Sequence, residues 1–162
     1  PMSSKKGKSR SSPSLIRLLS DLKAITEHAP EGCSAAPASE DNIYIWNAII
    51  FGPPDTEWSG GIFNLQMTFT QDYPDKPPKI KFLSEIFHPN VYAKSGSLCL
   101  DIIQDNWSPI YSVTSILTSI QSLLTDPNCD SPANTVAANL YQNDRKGYKR
   151  KVRRICEKSV DF

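Results

Sequence analysis

Residues 61–70 read Gly-Ile-Phe-Asn-Leu-Gln-Met-Thr-Phe-Thr. Phe63, Leu65, Met67 and Phe69 alternate with polar neighbours, and period-two alternation marks a strand with one face on a core and the other in water. On the N-terminal side, residues 42–51 are rich in Ile, Tyr and Trp and read as a second strand, ended by Gly52-Pro53-Pro54. On the C-terminal side, a proline-rich loop at residues 73–78 leads into a short strand at residues 79–83. Three or four short strands in series with brief turns predict an antiparallel meander.

Outside the strands the period changes to that of a helix. Leu15, Leu18, Leu19, Leu22 and Ile25 recur at helical spacing, and Ser12 before Pro13 is a start signal, since proline at the first helical position gives up only an unneeded donor. Residues 29–37, with their prolines and Gly32, break this helix. Val113, Ile116, Leu117, Ile120, Leu123 and Leu124 form an apolar stripe after Ser112 and predict a central buried helix. Residues 126–132 read as a turn, and residues 133–143 and 144–160 as two further helices. No internal repeat is present. A helix, a meander and then C-terminal helices define an α+β class with the sheet covered on one face.

The chain has 162 residues, enough for one compact domain that buries about two-thirds of its unfolded surface. Lys5, Lys6, Lys8 and Arg10 lie in a serine-rich stretch without apolar periodicity, so residues 1–12 are expected to be a flexible basic tail and residues 13–162 the domain. A second basic run, Lys149, Arg150, Lys151, Arg153 and Arg154, is expected on the solvated face of the last helix. Formal net charge is only +1, and a nucleic-acid module would rest on the tail alone, so no direct nucleic-acid binding is expected. No apolar stretch is long enough to span a bilayer and no signal-peptide core is seen, so no membrane partner is expected. Pro1 ahead of Met2 reads as a leftover of cloning. Cys33, Cys99, Cys129 and Cys156 are far apart and only His28 and His88 accompany them, which gives no clustered metal ligands and points to free thiols in a reducing compartment.

Residues 84–111 have little periodicity, and a loop that long inside a compact domain is usually functional. It holds His88-Pro89-Asn90, then Ser95-Gly96-Ser97-Leu98-Cys99-Leu100-Asp101, then Trp107-Ser108-Pro109. Cys99, between two leucines, reads either as a small buried hydrophobe or as a nucleophile. Asn90 reads either as an amide donor to an oxyanion, a role that can contribute ~3 kcal/mol to a transition state, or as a tie for its own loop. His88 allows a Cys–His pair on residue types alone.

These segments together resemble the ubiquitin-conjugating enzyme family. His88-Pro89-Asn90 with Gly96-x-Leu98-Cys99-Leu100-Asp101 and Trp107-Ser108-Pro109 is similar to its active-site signature. Tyr73-Pro74-x-x-Pro77-Pro78 is similar to its proline-rich loop, and Asn47-Ala48-x-Ile50-x-Gly52-Pro53 to its strand and turn. The resemblance runs from about Leu15 to the end of the chain. Within the family it is nearest the branch that modifies histones and the DNA sliding clamp, through Val91-Tyr92, Asp101-Ile102, residues 116–124 and Ser131-Pro132-Ala133-Asn134.

The resemblance implies the family's α+β fold, a catalytic domain over residues 13–162, and acyl transfer of ubiquitin from a thioester on Cys99 to substrate lysines. Asn90 is the implied oxyanion residue, and His88 is implied to be structural. Ser131 and Asp130 stand where many relatives use an acidic residue to orient the incoming lysine. Pro109, Ile110 and Asp75 match the two loops that dock ubiquitin ligases, with a RING-type ligase expected, and Arg17 and Lys23 lie on the helix that meets the activating enzyme. No cofactor is expected to be bound, since no phosphate loop is present and ATP is consumed upstream. The expected location is cytoplasm and nucleus. Three features depart from the pattern. The path from Asn90 to Cys99 is one residue longer, at Lys94-Ser95, and is expected to bulge outward. Ser20 and Ala24 replace basic residues on the first helix. No acidic extension follows Phe162, so histone affinity is expected to come from elsewhere. The competing readings are the same fold charging another ubiquitin-like protein, and a non-catalytic ubiquitin-binding variant.

Overall fold

The computed structural model describes residues 12–161. Apart from Ser12, the tail expected over residues 1–12 lies outside the described residues, as does Phe162. Ser12 itself caps the first helix, its hydroxyl accepting from the Leu15 backbone N–H at 3.2 Å. That helix, α1, spans Pro13–Glu27 and buries Ser14, Leu18, Asp21 and Ile25, a 4-3-4 spacing that sets one stripe against the core. The two polar members of the stripe have partners: the Ser14 and Tyr44 hydroxyls are 2.8 Å apart, and Asp21 accepts from the Tyr73 hydroxyl.

Four antiparallel strands follow in the order β1-β2-β3-β4: Cys33–Ser39, Asn42–Phe51, Ile62–Thr68 and Lys79–Phe82. Trp46, Ala48, Ile50, Phe63, Leu65, Met67, Ile80 and Phe82 face the core, while Asn47, Asn64, Lys79 and Lys81 are exposed on the other face. The alternation that identified β3 therefore runs across three strands. β1 corrects the expectation that residues 29–37 only break the first helix. Its sequence, Cys-Ser-Ala-Ala-Pro-Ala-Ser, has small side chains and a proline, so nothing in it signals a strand. It forms because it lies at the sheet edge, where Pro37 costs no ladder bond to a further neighbour, and it pairs with β2 from Cys33↔Ile50 to Pro37↔Trp46.

After the strands comes α2, Val113–Thr125, entered through a capping box in which Ser112 accepts from the Ser115 N–H and donates its own to the Ser115 hydroxyl. Its stripe, Val113, Ile116, Leu117, Ile120 and Leu124, joins the strand residues and Leu18 and Ile25 in one core. α3, Thr135–Asn143, and α4, Arg145–Ser159, close the fold, the latter burying Tyr148, Val152, Ile155 and Cys156. No helix among the described residues is long and apolar enough to cross a membrane.

A side-chain clamp joins α1 to two loops. Arg17 pairs with Asp21 at 3.2 Å and donates to the carbonyls of Pro109 and Tyr111 at 2.8 and 2.7 Å. The Trp107 indole N–H donates to the Pro74 carbonyl at 2.9 Å, and the Phe69, Tyr73, Trp107 and Tyr111 rings pack edge-on or tilted against one another in sequence. A lysine at position 17 keeps the charge but cannot span two carbonyls and a carboxylate in one plane. Arg17→Lys should therefore lose about 1–2 kcal/mol and lower the melting temperature by about 2–8 °C. An unchanged melting temperature would show that the guanidinium does not hold these loops.

Candidate active site around Cys99

The long segment between β4 and α2 contains a small hairpin. Val91 bridges Leu98, and Ser97 bridges Lys81 of β4. Tyr92 N–H donates to the Ser97 carbonyl at 3.0 Å, and Cys99 N–H to the Asn90 carbonyl at 2.8 Å. Gly96 makes the turn possible: its φ is +76°, and a Cβ there would stand 2.2 Å from the Phe82 carbonyl oxygen. Lys94 and Ser95, the extra length noted above, are exposed at the hairpin tip, and the Asn90–Cys99 bond closes beneath them. Leu98 and Leu100 point into the core, so the intervening Cys99 side chain lies on the opposite side, half-buried.

Asn90 is 3% exposed and every strong contact it makes is structural. Its Nδ2 donates to the Asn128 carbonyl at 2.7 Å, and its Oδ1 accepts from the Asn128 N–H at 2.9 Å. The segment after α2 is tied down again where Ala133 and Asn134 N–H donate to the Pro89 carbonyl. Asp130 and Ser131 are exposed within this segment, with the Asp130 N–H donating to the Asn128 side chain at 3.0 Å. Cys99, Asn90 and residues 128–134 thus form one hydrogen-bonded unit. The Asn90 amide keeps one N–H not used in these bonds.

His88 closes the unit from below. Its Nδ1 accepts from the Asn90 N–H at 2.9 Å, which leaves Nε2 to donate to the Leu123 carbonyl at 2.7 Å. Burial drives its pKa down to about 4, against a smaller upward pull from the Leu123 bond. Both ring nitrogens are occupied and the ring is neutral, so it is not the base of a Cys–His pair.

The four thiols differ by environment. Burial pushes Cys33 and Cys156 up to about 11. Cys129 is raised, mainly by desolvation, with Arg145 acting in the opposite direction. A raised thiol is a poorer source of thiolate. Tyr92, read from sequence only as a marker of likeness, belongs to the site. Positions 90, 92, 97 and 99 share one face of the hairpin, and the neighbouring Cys99 thiol is the main cause raising the Tyr92 phenol above its ordinary value. Asn128 also went unread, since its role is a backbone contact 38 residues from Asn90.

The other candidate residues lie at a second locus. Asp75 is exposed in the loop tied to Trp107, and Pro109 and Ile110 are exposed in the loop tied to Arg17, with Ile110 82% exposed. Lys23 is exposed on α1, whereas Arg17 is largely committed to its internal bonds. No group of three or more His, Cys, Asp or Glu among the described residues could hold a metal ion.

A family model described as "Ubiquitin-conjugating enzyme" matches residues 17–156. The chain is 56% identical over 147 residues to "Ubiquitin-conjugating enzyme E2 1" of Caenorhabditis elegans, covering 91% of this chain and 76% of that protein. It is 55% identical over 147 residues to "Ubiquitin-conjugating enzyme E2 3" of Arabidopsis thaliana, covering 91% and 97%. With "Ubiquitin-conjugating enzyme E2 2" of Debaryomyces hansenii it shares 56% over 149 residues, covering 92% and 88%.

The depressed His88 gives a pH signature. Folded, it titrates near 4; unfolded, near 6.5. Between those values the unfolded chain holds a proton that the folded chain does not. Stability from this group is therefore full above pH 6.5 and falls as pH falls to 4, by up to about 3 kcal/mol. Urea unfolding of His88→Gln should show a lower plateau at pH 7 but a slope across pH 6.5–4 shallower by up to about one proton. Parallel slopes for the two proteins would rule out a neutral buried His88.

Proposed function

The chain belongs to the ubiquitin-conjugating enzyme family and is a transferase of that kind, working with ubiquitin, an activating enzyme and a ligase; from that membership we propose that Cys99 carries ubiquitin as a thioester and passes it to substrate lysines. The Cys99 thiolate attacks the thioester carbonyl carbon on the activating enzyme, a new C–S bond forms, and the activating enzyme's thiolate leaves. A lysine amine then attacks the same carbonyl, the amide bond forms, and the Cys99 thiolate departs as the amine proton is lost. No cofactor takes part in either step, and ATP is consumed upstream. The observation that carries the reading is that Cys99 is a half-buried thiol whose backbone is held at the foot of a hairpin by Asn90, a placement that the equally half-buried Cys129 does not share.

In this reading Asn90 has two compatible roles: it holds Cys99 and residues 128–134 in one geometry, and its remaining amide N–H is the donor for the tetrahedral oxyanion. Asp130 and Ser131 orient the incoming amine. Pro109 and Ile110, with Asp75 alongside, take up a RING-type ligase. Asp75 in place of a large apolar side chain argues against ligases that depend on such an anchor. Lys23 supplies the free charge toward the activating enzyme, and Arg17 positions the ligase loop as well. The likeness to the branch that modifies histones and the sliding clamp supports substrates of that class, in cytoplasm and nucleus.

Mixed with activating enzyme, ATP and ubiquitin, the protein should form one adduct cleaved by reductant. Cys99→Ser should give a reductant-resistant ester and Cys99→Ala none; charging of the alanine variant through another cysteine would overturn the assignment. A panel of other ubiquitin-like modifiers in the same assay separates the nearest alternative.

Asn90→Ala removes both bonds to Asn128 and should lower stability by about 2 kcal/mol. Assayed well below its melting temperature, it should still charge but discharge to free lysine about a hundredfold more slowly. Equal loss in both steps would reduce Asn90 to a scaffold residue.

A further inference from the structure

α4 carries Arg145, Lys146, Lys149, Arg150, Lys151, Arg153, Arg154 and Lys158 against the single acid Glu157, eight to one, in a chain whose net charge is +1. All eight are exposed, while Tyr148, Val152, Ile155 and Cys156 point into the core. At about 100° per residue the basic side chains cover roughly 240° of the helix circumference and, from Arg145 to Lys158, about 20 Å of its length. Few of them are neutralised. Lys158 reaches Glu85 at 3.7 Å, Arg145 lies over the Tyr141 ring and Lys151 over the Phe87 ring. Among the described residues Lys146, Lys149, Arg150, Arg153 and Arg154 have no carboxylate within ion-pair distance.

This arrangement works against the helix itself. Arg145 and Lys149, Lys146 and Arg150, Lys149 and Arg153, Arg150 and Arg154, and Arg154 and Lys158 are like-charged neighbours at i,i+4, each of which disfavours the helix. The first turn holds basic residues and no acid, the wrong sign for the N-terminal end of the helix dipole, which only the capping Asp144 offsets. The buried stripe keeps α4 folded despite this, and solubility alone would not require one sign of charge on one helix.

We propose that the exposed face of α4 is a binding surface for the phosphate backbone of double-stranded nucleic acid, independent of base sequence. The arc holds no aromatic or large aliphatic side chain to anchor a protein partner, whereas phosphates need only charge. Its arginines suit bidentate phosphate contacts, and the helix has no Asn or Gln to read base edges. A membrane surface would need an apolar face to insert, and the apolar face of α4 is buried in the core. The proposal departs from the expectation drawn from net charge, because opposite charges elsewhere in the chain hide a strongly basic helix. It stands apart from the assignment of Cys99, and charging at Cys99 serves only as a control for folding.

The full chain is titrated into two fluorescently labelled 25-base-pair DNA duplexes of unrelated sequence, followed by anisotropy from 25 to 200 mM KCl. Both should bind alike, with a dissociation constant on the order of 10 µM at low salt and a log–log salt slope of about −4. The triple variant Arg150→Gln, Arg153→Gln, Arg154→Gln should bind at least tenfold more weakly, with a slope shallower by about 2.7, and should charge as the parent does. Absence of binding at 25 mM KCl and 100 µM protein overturns the proposal. So does equal binding by the triple variant. Phosphatidylserine vesicles or polyglutamate competing as well as unlabelled duplex, through the same three residues, would reassign the surface and overturn it too.

Discussion

The double hydrogen bond between the Asn90 amide and the Asn128 backbone is the constraint on which the site depends. An amide side chain with both its oxygen and one N–H paired to the backbone of a single residue is fixed in rotation as well as position. The amide is buried, so leaving it unpaired would cost the full desolvation of that group. From that fixed point the geometry spreads. The Asn90 carbonyl sets the Cys99 backbone, the Asn90 N–H sets the His88 ring, and His88 is anchored to the end of α2 through Leu123. A site assembled from an irregular segment is thereby tied to the end of a helix.

His88 shows why such a centre is built from neutral groups. A protonated imidazole there would have no acceptor for its Nδ1 hydrogen, because that position already faces the Asn90 N–H. Burial penalises the charge and the hydrogen-bond pattern leaves it no partner, so both act in the same direction. The thiols are sorted by the same physics. Cys33 and Cys156 are held in apolar surroundings that disfavour the thiolate, while Cys99 lies on the outward face between two inward leucines.

How much of this could be read in the sequence follows from the range of each interaction. The helices were legible because their caps and stripes are local: Ser12, Ser112 and the apolar spacing of α1 and α2 all act within a turn or two. β3 was legible by its alternation. β1 was not, because edge position rather than composition makes residues 33–39 a strand. The hairpin around Gly96 was hidden for a similar reason, since two bridges leave no hydrophobic period to detect. Cys99 and Asn90 stood out as residue types in a family-like pattern, but the partner of Asn90 is a backbone 38 residues away, and Arg17 finds its carbonyls 92 and 94 residues away. No local pattern announces contacts of that length.

The two loci are joined by a short, stiff path. From Leu100 the chain enters a 3-10 turn at Asp101–Ile103, where Asp101 accepts from the N–H groups of Gln104 and Asn106, and Gln104 accepts from Trp107. Trp107 is then held to Pro74 and by its ring neighbours, and Pro109 and Tyr111 are held by Arg17. Ile110 is left exposed between two pinned residues. A partner that closes on Ile110 therefore bears on a backbone with little slack, bonded at short intervals back to the residue after Cys99. Packed and hydrogen-bonded stretches of this kind shift as units rather than deform continuously. On the proposed assignment, a ligase docked at Pro109 and Ile110 can bias the thioester through this segment without touching it, while Arg17 holds the docking end of the path to α1.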